Sequence, residues 1–159
     1  AIIQKVEEAF EPVGKLLAEV KLRAALGEVM GLAREANRYL DAAAPWLVLK
    51  SDRARSATAT YVALRVIDSL KMLFAPFLPF SSQNLHEALG YESNLFGTQH
   101  IIQLGGAGDE HNALTYRHEW QGDIWQPSQI QPGQKLCRPK PMFQKLDPEI
   151  VEQELARLG

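Results

Sequence analysis

The feature that most constrains the fold is the spacing of apolar residues through the first half of the chain. Apolar side chains recur every three or four residues in three long stretches, which is the pattern of one face of an α-helix. They are Ile2, Ile3, Val6, Phe10, Val13, Leu16, Leu17 and Val20, then Leu22, Leu26, Val29, Met30, Ala33, Ala36 and Leu40, then Ala57, Tyr61, Leu64, Ile67, Leu70, Leu73 and Phe74. Antiparallel helices with short connections pack as a bundle. The predicted fold class is therefore an all-α, antiparallel helix bundle.

Local signals predict where the central helices start and stop. The second helix must end before Pro45, because the residue that precedes a proline is driven out of the α region. Ser51-Asp52 offers an N-cap for the third helix. Gly27 and Gly31 lie four residues apart in the second helix, where they lower helix propensity but would let another backbone approach closely.

Two prolines end the third helix and lead into a shorter fourth one. Pro76 and Pro79 interrupt the sequence, and neither fits the interior of a helix. Ser81 or Ser82 is the predicted N-cap of the fourth helix, which would run to Gly90.

Three regions follow from these signals. Residues 1–95 form the predicted bundle. Residues 96–140, rich in Gly, Gln and Pro with Gly105-Gly106-Ala107-Gly108 near the centre, are predicted to be an irregular arm or insertion with at most a short strand. Residues 141–159 are a predicted linker and C-terminal helix, because Asp147-Pro148-Glu149 looks like an N-cap, an N1 proline and a first-turn acid. That helix should span 148–158.

Composition excludes several classes of protein. Hydrophobic residues make up 46% of the chain, enough for a core, and 17 Lys and Arg against 19 Asp and Glu give a formal net charge of -2. A nucleic-acid role would therefore depend on a local basic patch, since the bulk charge does not favour phosphate. No apolar run reaches the 18 residues of a membrane-spanning helix, so no membrane role is predicted. The single cysteine, Cys137, permits no internal disulfide and fits a reducing cytoplasm.

Trp46 is the residue with the most functional promise. It follows Pro45, which would fix the loop and present the indole with little ordering cost. Two interpretations carry equal weight on chemistry alone. The indole could fold down onto the bundle, as large aromatic side chains usually do. It could instead stack on a single-stranded base. Full burial of Trp46 would exclude the second interpretation.

Polar residues near Trp46 allow two interpretations as well. Asn37 falls on the apolar stripe of the second helix, so its amide needs partners. The more frequent outcome is a tie from the helix end to the following loop, and the alternative is contact with an RNA base or phosphate. Arg34, Arg38, Lys50, Arg53 and Arg55 could form a basic lip around Trp46. The more common outcome for such a cluster is an ordinary solvated face.

Catalytic and metal-binding motifs are not evident. His111, His118 and Glu119 match no metal-ligand spacing, and Cys137 has no neighbouring base. The glycines at 105, 106 and 108 lack the strand, helix and lysine of a phosphate-cradling loop. We predict no catalytic residue, no metal and no cofactor in this chain.

Three ordered motifs carry a resemblance to a known family. The run Asn37-Arg38-Tyr39-Leu40, then Ala44-Pro45-Trp46, then Lys50 resembles the helical anticodon-binding domain of class I aminoacyl-tRNA synthetases. The segments 73–81 (LFAPFLPFS) and 139–147 (PKPMFQKLD) are similar to sequences of methionyl-tRNA synthetases. The resemblance covers residues 10–90 and 120–158, and the arm between them looks like an insertion.

This resemblance implies a tRNA-binding role and a set of residues. The tryptophan that matches Trp46 stacks on anticodon bases in that family, and the proline that matches Pro45 places it. Asn37, Arg38, Lys50 and Arg53 also belong to the predicted anticodon-binding set. The family's other main base readers, an asparagine and an arginine on the helix that opens the domain, would fall before Ala1. The implied partners are the methionine tRNA, with its CAU anticodon, and the catalytic domain of the same parent chain.

The same resemblance implies that catalysis takes place in another domain of the parent enzyme. The chain lacks the HIGH and KMSKS signatures, so ATP and Mg²⁺ would be used by the parent enzyme and this part alone would be inactive. The C-terminal helix would pack back on the bundle or on the catalytic side. Two alternatives stay open: the equivalent domain of a related synthetase (for cysteine, isoleucine or leucine), and a non-enzymatic helical module for protein interaction.

Overall fold

The computed structural model describes residues 1–117, 125–138, 140–143 and 148–158. The helices are α1 (Ile2–Glu8), α2 (Phe10–Ala18), α3 (Leu22–Ala43), α4 (Pro45–Val48), α5 (Arg53–Phe74), α6 (Pro79–Ala88) and α7 (Pro148–Leu158), and the strands are β1 (Thr98–Leu104) and β2 (His111–Arg117). No helix in these ranges combines the length and hydropathy that crossing a bilayer requires.

The bundle predicted for the first half of the chain is confirmed. Helix α5 packs against α1, α3, α4 and α6, so it is the central element. Val6, Val13, Val29 and Leu73 of the predicted stripes are fully buried, whereas the predicted stripe residues Val20, Leu22, Leu26 and Met30 are exposed, and Ala25, which was not predicted, is buried in α3. Asp52 caps α5 as predicted, since its Oδ1 accepts a hydrogen bond of 2.9 Å from the backbone N–H of Arg55.

Two local predictions about the bundle are wrong. Helix α6 begins at Pro79, with Leu78 at the N-cap position and no side-chain cap, and not at a serine cap, because proline is well suited to the first helical position. No other described backbone segment approaches the two glycines of α3. A Cβ at Gly27 would have no neighbour within 4 Å, and one at Gly31 would meet only the guanidinium of Arg34, at 4.0 Å.

The expectation of a strictly all-α fold is also wrong, because residues 98–117 form a β-hairpin. Strands β1 and β2 pair antiparallel, with Ile101 opposite Leu114. Gly105 and Gly108 adopt positive φ angles in the connecting turn, and a Cβ at Gly105 would lie 2.0 Å from the carbonyl oxygen of Asp109. The glycine cluster therefore closes a hairpin that the sequence interpretation had treated as an irregular arm.

Residues 125–138, here called the strap, return to the bundle and pack on it. The indole N–H of Trp125 donates to the carbonyl oxygen of Phe10 at 2.9 Å, and the two rings lie 5.3 Å apart. Ile130 is buried. The backbone N–H of Cys137 donates to the carbonyl oxygen of Ala88. The strap thus covers one side of the bundle even though it has no regular secondary structure.

A buried polar cluster fastens the strap to α5 and α6. The ammonium group of Lys71 lies 2.7 Å from Asp68 Oδ1 and 2.9 Å from His86 Nδ1. Asp68 Oδ2 accepts hydrogen bonds from the Tyr91 hydroxyl at 2.7 Å and from the Ser128 hydroxyl at 2.5 Å. A buried charge is tolerated when it is paired and hydrogen-bonded in this way.

The pKa values of this cluster follow from burial and charge. Burial raises the pKa of Asp68, but the Lys71 ion pair and the hydrogen bonds outweigh burial, so the pKa is lower than usual. Burial, together with the nearby charge of Lys71, lowers the pKa of His86 to about 4. His86 is therefore neutral near pH 7, with Nδ1 accepting from Lys71.

Helix α7 begins at Pro148, as predicted, whereas the predicted cap Asp147 lies outside the described residues. Val151, Leu155 and Leu158 form an exposed apolar stripe along it. The expectation that α7 packs back on the bundle or on the catalytic side stays a prediction.

Candidate nucleic-acid interface

Trp46 lies on a one-turn helix at one end of the bundle. Ala44 ends α3 in a left-handed conformation (φ 36°, ψ 57°), which turns the chain sharply. Pro45 then occupies the first position of α4, where its fixed φ suits a helix start and its missing N–H costs nothing. The segment predicted to be a loop is thus a short helix that presents Trp46 at a defined angle.

The short helix is braced from beneath by α5. Pro45 is buried, and its carbonyl oxygen accepts a 2.9 Å hydrogen bond from the Ser56 hydroxyl. The backbone N–H of Asp52 donates to the carbonyl oxygen of Val48 at 2.7 Å, which closes the other end of α4. This bracing lowers the ordering cost of binding at Trp46, since the side chain projects from a fixed backbone.

The indole of Trp46 projects into solvent, which excludes the core-packing interpretation. Its side chain is 57% exposed, and it makes no hydrogen bond or ring contact with any residue that the structure describes. Leu47 and Leu49 beside it are more than half exposed as well. These leucines were not predicted, although the short run Trp-Leu-Val-Leu after Pro45 is a signal that could have found them. Together the three side chains form an apolar tip.

Asn37 is not where the sequence interpretation placed it. Its side chain is exposed and has no hydrogen bond to any described residue, so the expected tie to the following loop is wrong. The buried line of α3 runs through Ala25, Val29 and Leu32, whereas Met30 is itself 43% exposed. Asn37 lies two turns after Met30, on the same exposed edge. Its amide is consequently free to bind an external group.

The predicted basic residues are all available for binding. Arg34, Arg38, Lys50, Arg53 and Arg55 are exposed, and none forms a salt bridge with an acid in the described ranges.

Two acidic residues near these basic side chains, Glu35 and Asp52, already have partners. Glu35 pairs with Lys5 at 2.5 Å, and that hydrogen bond lowers the pKa of Glu35. Asp52 is committed to capping α5. The local charge around Trp46 is accordingly more favourable to phosphate than the net charge of -2 suggests.

A groove opens beside the tip, between the first half of α5 and the strap. Its volume is about 320 Å³, and Leu49 and Arg53 stand at its edge. Most of its lining is apolar, and Gln131 and Gln134 are among the polar residues that line it. The groove shares its Leu49 edge with the apolar tip, so the tip and the groove form one continuous surface.

The arrangement is suited to binding single-stranded nucleic acid. An exposed aromatic face, a free amide and unpaired guanidinium and ammonium groups are the means by which proteins hold single-stranded nucleic acid. No group of three His, Cys, Asp or Glu side chains within the described ranges could hold a metal ion. His118 and Glu119 fall outside those ranges.

Comparison with known proteins points in one direction. A family profile described as "anticodon binding domain of methionyl tRNA ligase" matches residues 1–159. The chain is 50% identical to a methionine–tRNA ligase of Chloroflexus aurantiacus over 99% of its length, and 48% identical to one of a Roseiflexus species over 99%. It is 35% identical to one of Corynebacterium urealyticum over 96%. The matches cover 26%, 27% and 27% of these relatives, so the chain spans about a quarter of their length.

Proposed function

The chain belongs to the family of anticodon-binding domains of methionyl tRNA ligase, and from this premise we propose that it grips the anticodon of a tRNA through Trp46. The parent enzyme, by analogy with the relatives named above, would be a methionine–tRNA ligase. The tRNA would be that for methionine, with the anticodon CAU.

The exposure of Trp46 on a braced helix is the observation that carries this proposal. A large aromatic side chain at 57% exposure, with no hydrogen bond or ring contact to the described residues, gains from an external partner that covers its face. A nucleobase is such a partner, and stacking on an aromatic ring is worth about 1–3 kcal/mol per base. Pro45 and Ser56 hold the backbone, so little of that free energy is spent on ordering.

The polar residues near Trp46 would make the remaining contacts with the RNA. The Asn37 amide, with one donor group and one acceptor, can read the edge of an unstacked base. Arg38, Lys50 and Arg53 would neutralise backbone phosphates near Trp46. Because phosphate contacts position the strand and stacking tolerates any base, Trp46 would supply affinity, and the selectivity that this chain contributes would come from hydrogen bonds of the Asn37 amide to a base edge.

No bond is made or broken by this proposed role. The transfer of methionine to tRNA, with ATP and Mg²⁺, would occur in the catalytic part of the parent ligase. The related synthetases for cysteine, isoleucine and leucine are less suitable parents, because the relatives reported above are all methionine–tRNA ligases.

Binding of anticodon stem-loops to the ligase that contains this chain tests the proposal. The titration compares a CAU stem-loop with one of the same stem and a scrambled anticodon, at fixed salt. We expect the CAU stem-loop to bind at least about fivefold more tightly, the equivalent of about 1 kcal/mol and the lower end of discrimination by base contacts. Equal affinity for the two stem-loops would refute anticodon reading and leave only electrostatic binding.

A further inference from the structure

The groove between α5 and the strap has the size and shape to take a flat ring. Its lining residues on α5 extend from Arg53 to Leu64, which spans about 17 Å at 1.5 Å per residue. Ala57 and Thr60 lie between these two residues, and their small side chains leave the groove open along its middle. Its volume of about 320 Å³ falls within the range of pockets that hold small organic ligands.

Tyr61 gives this groove an aromatic surface. It lines the groove about 12 Å beyond Arg53 along α5, at 1.5 Å per residue. The guanidinium of Arg65 donates to the Tyr61 phenol and, at 2.6 Å, to Glu7 Oε1. Because the phenol is held in this way, the ring can accept a partner at little ordering cost. Bases of every type stack on such a ring.

The strap supplies the opposite wall and a hydrogen-bond acceptor. Gln134 lines the groove from the strap, and its Nε2 donates to the carbonyl oxygen of Leu89 at 2.6 Å, which fixes the amide. Its Oε1 accepts no hydrogen bond from any residue that the structure describes. An amide oxygen can accept from the exocyclic amino group of adenine or cytosine. Gln134 can therefore select among bases that Tyr61 would bind alike.

The groove is continuous with the surface proposed to hold the anticodon. Leu49 belongs both to the apolar tip and to the groove edge. Arg53 at the same edge is exposed and has no acidic partner in the described ranges, and none of the residues that line the groove is acidic. A strand with one base on Trp46 can thus place a phosphate beside Arg53 and turn the neighbouring base into the groove.

We infer that this groove binds a second unstacked base of the tRNA, beside the base on Trp46, with Tyr61 against its face and Gln134 at its edge; this inference rests on the proposed function. The base is one with an exocyclic amino group, adenine or cytosine. Gln134 is then a specificity-determining residue in addition to Asn37.

Substitutions in the full-length ligase test the groove. Ala57→Leu fills it, and Tyr61→Leu removes the aromatic face but keeps an apolar side chain. Ala54→Leu is the matched control, because Ala54 is exposed on the same helix and is not among the residues that line the groove. The probes are the CAU stem-loop and versions of it in which one loop nucleotide at a time lacks its base. Stem-loop affinity is measured, and thermal unfolding checks that each variant is folded.

We expect removal of one particular base to weaken binding to the unchanged ligase and to Ala54→Leu by about fivefold or more, the smaller effect of losing a stacked base. Ala57→Leu and Tyr61→Leu should each weaken binding of the intact stem-loop by a similar factor. Removal of the same base should then cost less than about twofold, because groups in contact have non-additive effects. At that position a base without an exocyclic amino group should bind the unchanged ligase more weakly, but not Gln134→Leu.

Comparison with Trp46→Ala separates this inference from the proposed function, since that variant should become insensitive to a different base. If no position becomes insensitive in Ala57→Leu or Tyr61→Leu while one does in Trp46→Ala, the groove is excluded and stacking on Trp46 stands. An insensitive position in the groove variants but none in Trp46→Ala would support the groove and refute stacking on Trp46. Intact stem-loop affinities of both groove variants within about twofold of the unchanged ligase would overturn the inference as well.

Discussion

The Ser56 hydroxyl donates a 2.9 Å hydrogen bond to the carbonyl oxygen of Pro45, and this contact ties the Trp46 helix to α5. Both residues are buried, so the bond is shielded from water. Ser56 lies at the start of α5 and Pro45 at the start of α4, so this hydrogen bond directly connects the two helices.

Replacement of Ser56 tests this tie. Ser56→Ala removes one hydrogen bond to the buried Pro45 carbonyl, which should lower the free energy of unfolding by about 1 kcal/mol. It should also weaken stem-loop binding severalfold, because Trp46 would then have to be ordered on binding. Urea denaturation and stem-loop titration measure the two effects. Ser51→Ala is the matched control, since Ser51 is exposed and its hydroxyl lies 3.3 Å from Val48 O. Equal effects of the two substitutions would contradict a special role for Ser56.

Two glycine substitutions should have opposite effects. A Cβ at Gly14 would lie 2.9 Å from Nε1 of Trp125, so Gly14→Ala should displace the strap and destabilise the chain by about 1 kcal/mol or more. The Cβ added by Gly27→Ala would have no neighbour within 4 Å, so this substitution should stabilise α3 by about 0.5–1 kcal/mol. Thermal unfolding of both variants gives the sign of each effect. Stabilisation by Gly14→Ala would show that Trp125 does not pack there.

Stability should depend on pH through His86. Its folded pKa is about 4, whereas an unfolded histidine titrates near 6.5, so the unfolded chain binds a proton that the folded chain excludes between these values. Stability contributed by neutral His86 should thus be complete above about pH 7 and decline as the pH falls from about 6.5 to 4. Urea denaturation across this range should show the decline, and His86→Gln should flatten it. His111→Gln, in the exposed hairpin, is the control, and an unchanged slope in His86→Gln would refute the assignment.

The basic residues near Trp46 should determine the salt dependence of stem-loop binding. Each phosphate contact to single-stranded nucleic acid contributes about 0.7 to the slope of log K against log salt. Arg38→Gln, Lys50→Gln and Arg53→Gln should each reduce the slope by about that amount. Lys15→Gln is the control, because Lys15 is exposed on α2, far along the chain from the Trp46 helix. A slope that none of the three substitutions changes would exclude these residues from the phosphate path.

The helices were predictable because their signals are local. The cap at Asp52 and the stop before Pro45 each depend on neighbouring residues, and both were confirmed. The hairpin was missed because its glycines were interpreted as a flexible turn, although Gly105 and Gly108 supply the positive φ angles that the hairpin requires.

The features that were predicted wrongly, or not predicted at all, depend on tertiary contacts. Asn37 was assigned to the apolar stripe because Met30 was assumed to be buried, and only packing reveals that this edge of α3 is open. The cluster of Asp68, Lys71 and Ser128 unites residues 60 positions apart, which no helical period signals. For Trp46 the sequence left burial and exposure equally weighted, and the braced α4 helix resolves this in favour of exposure.

Affinity of the ligase for the CAU stem-loop after Trp46→Ala is the most direct test of anticodon reading. We expect a loss of about 5- to 150-fold, the equivalent of 1–3 kcal/mol of stacking. Trp46→Phe should retain most of the affinity, and Leu47→Ala, at a more exposed neighbour, should change it little. Methionine activation should stay unchanged in all three variants. Stem-loop affinity unaffected by Trp46→Ala would contradict the account, since the exposed indole would then have no part in holding the anticodon.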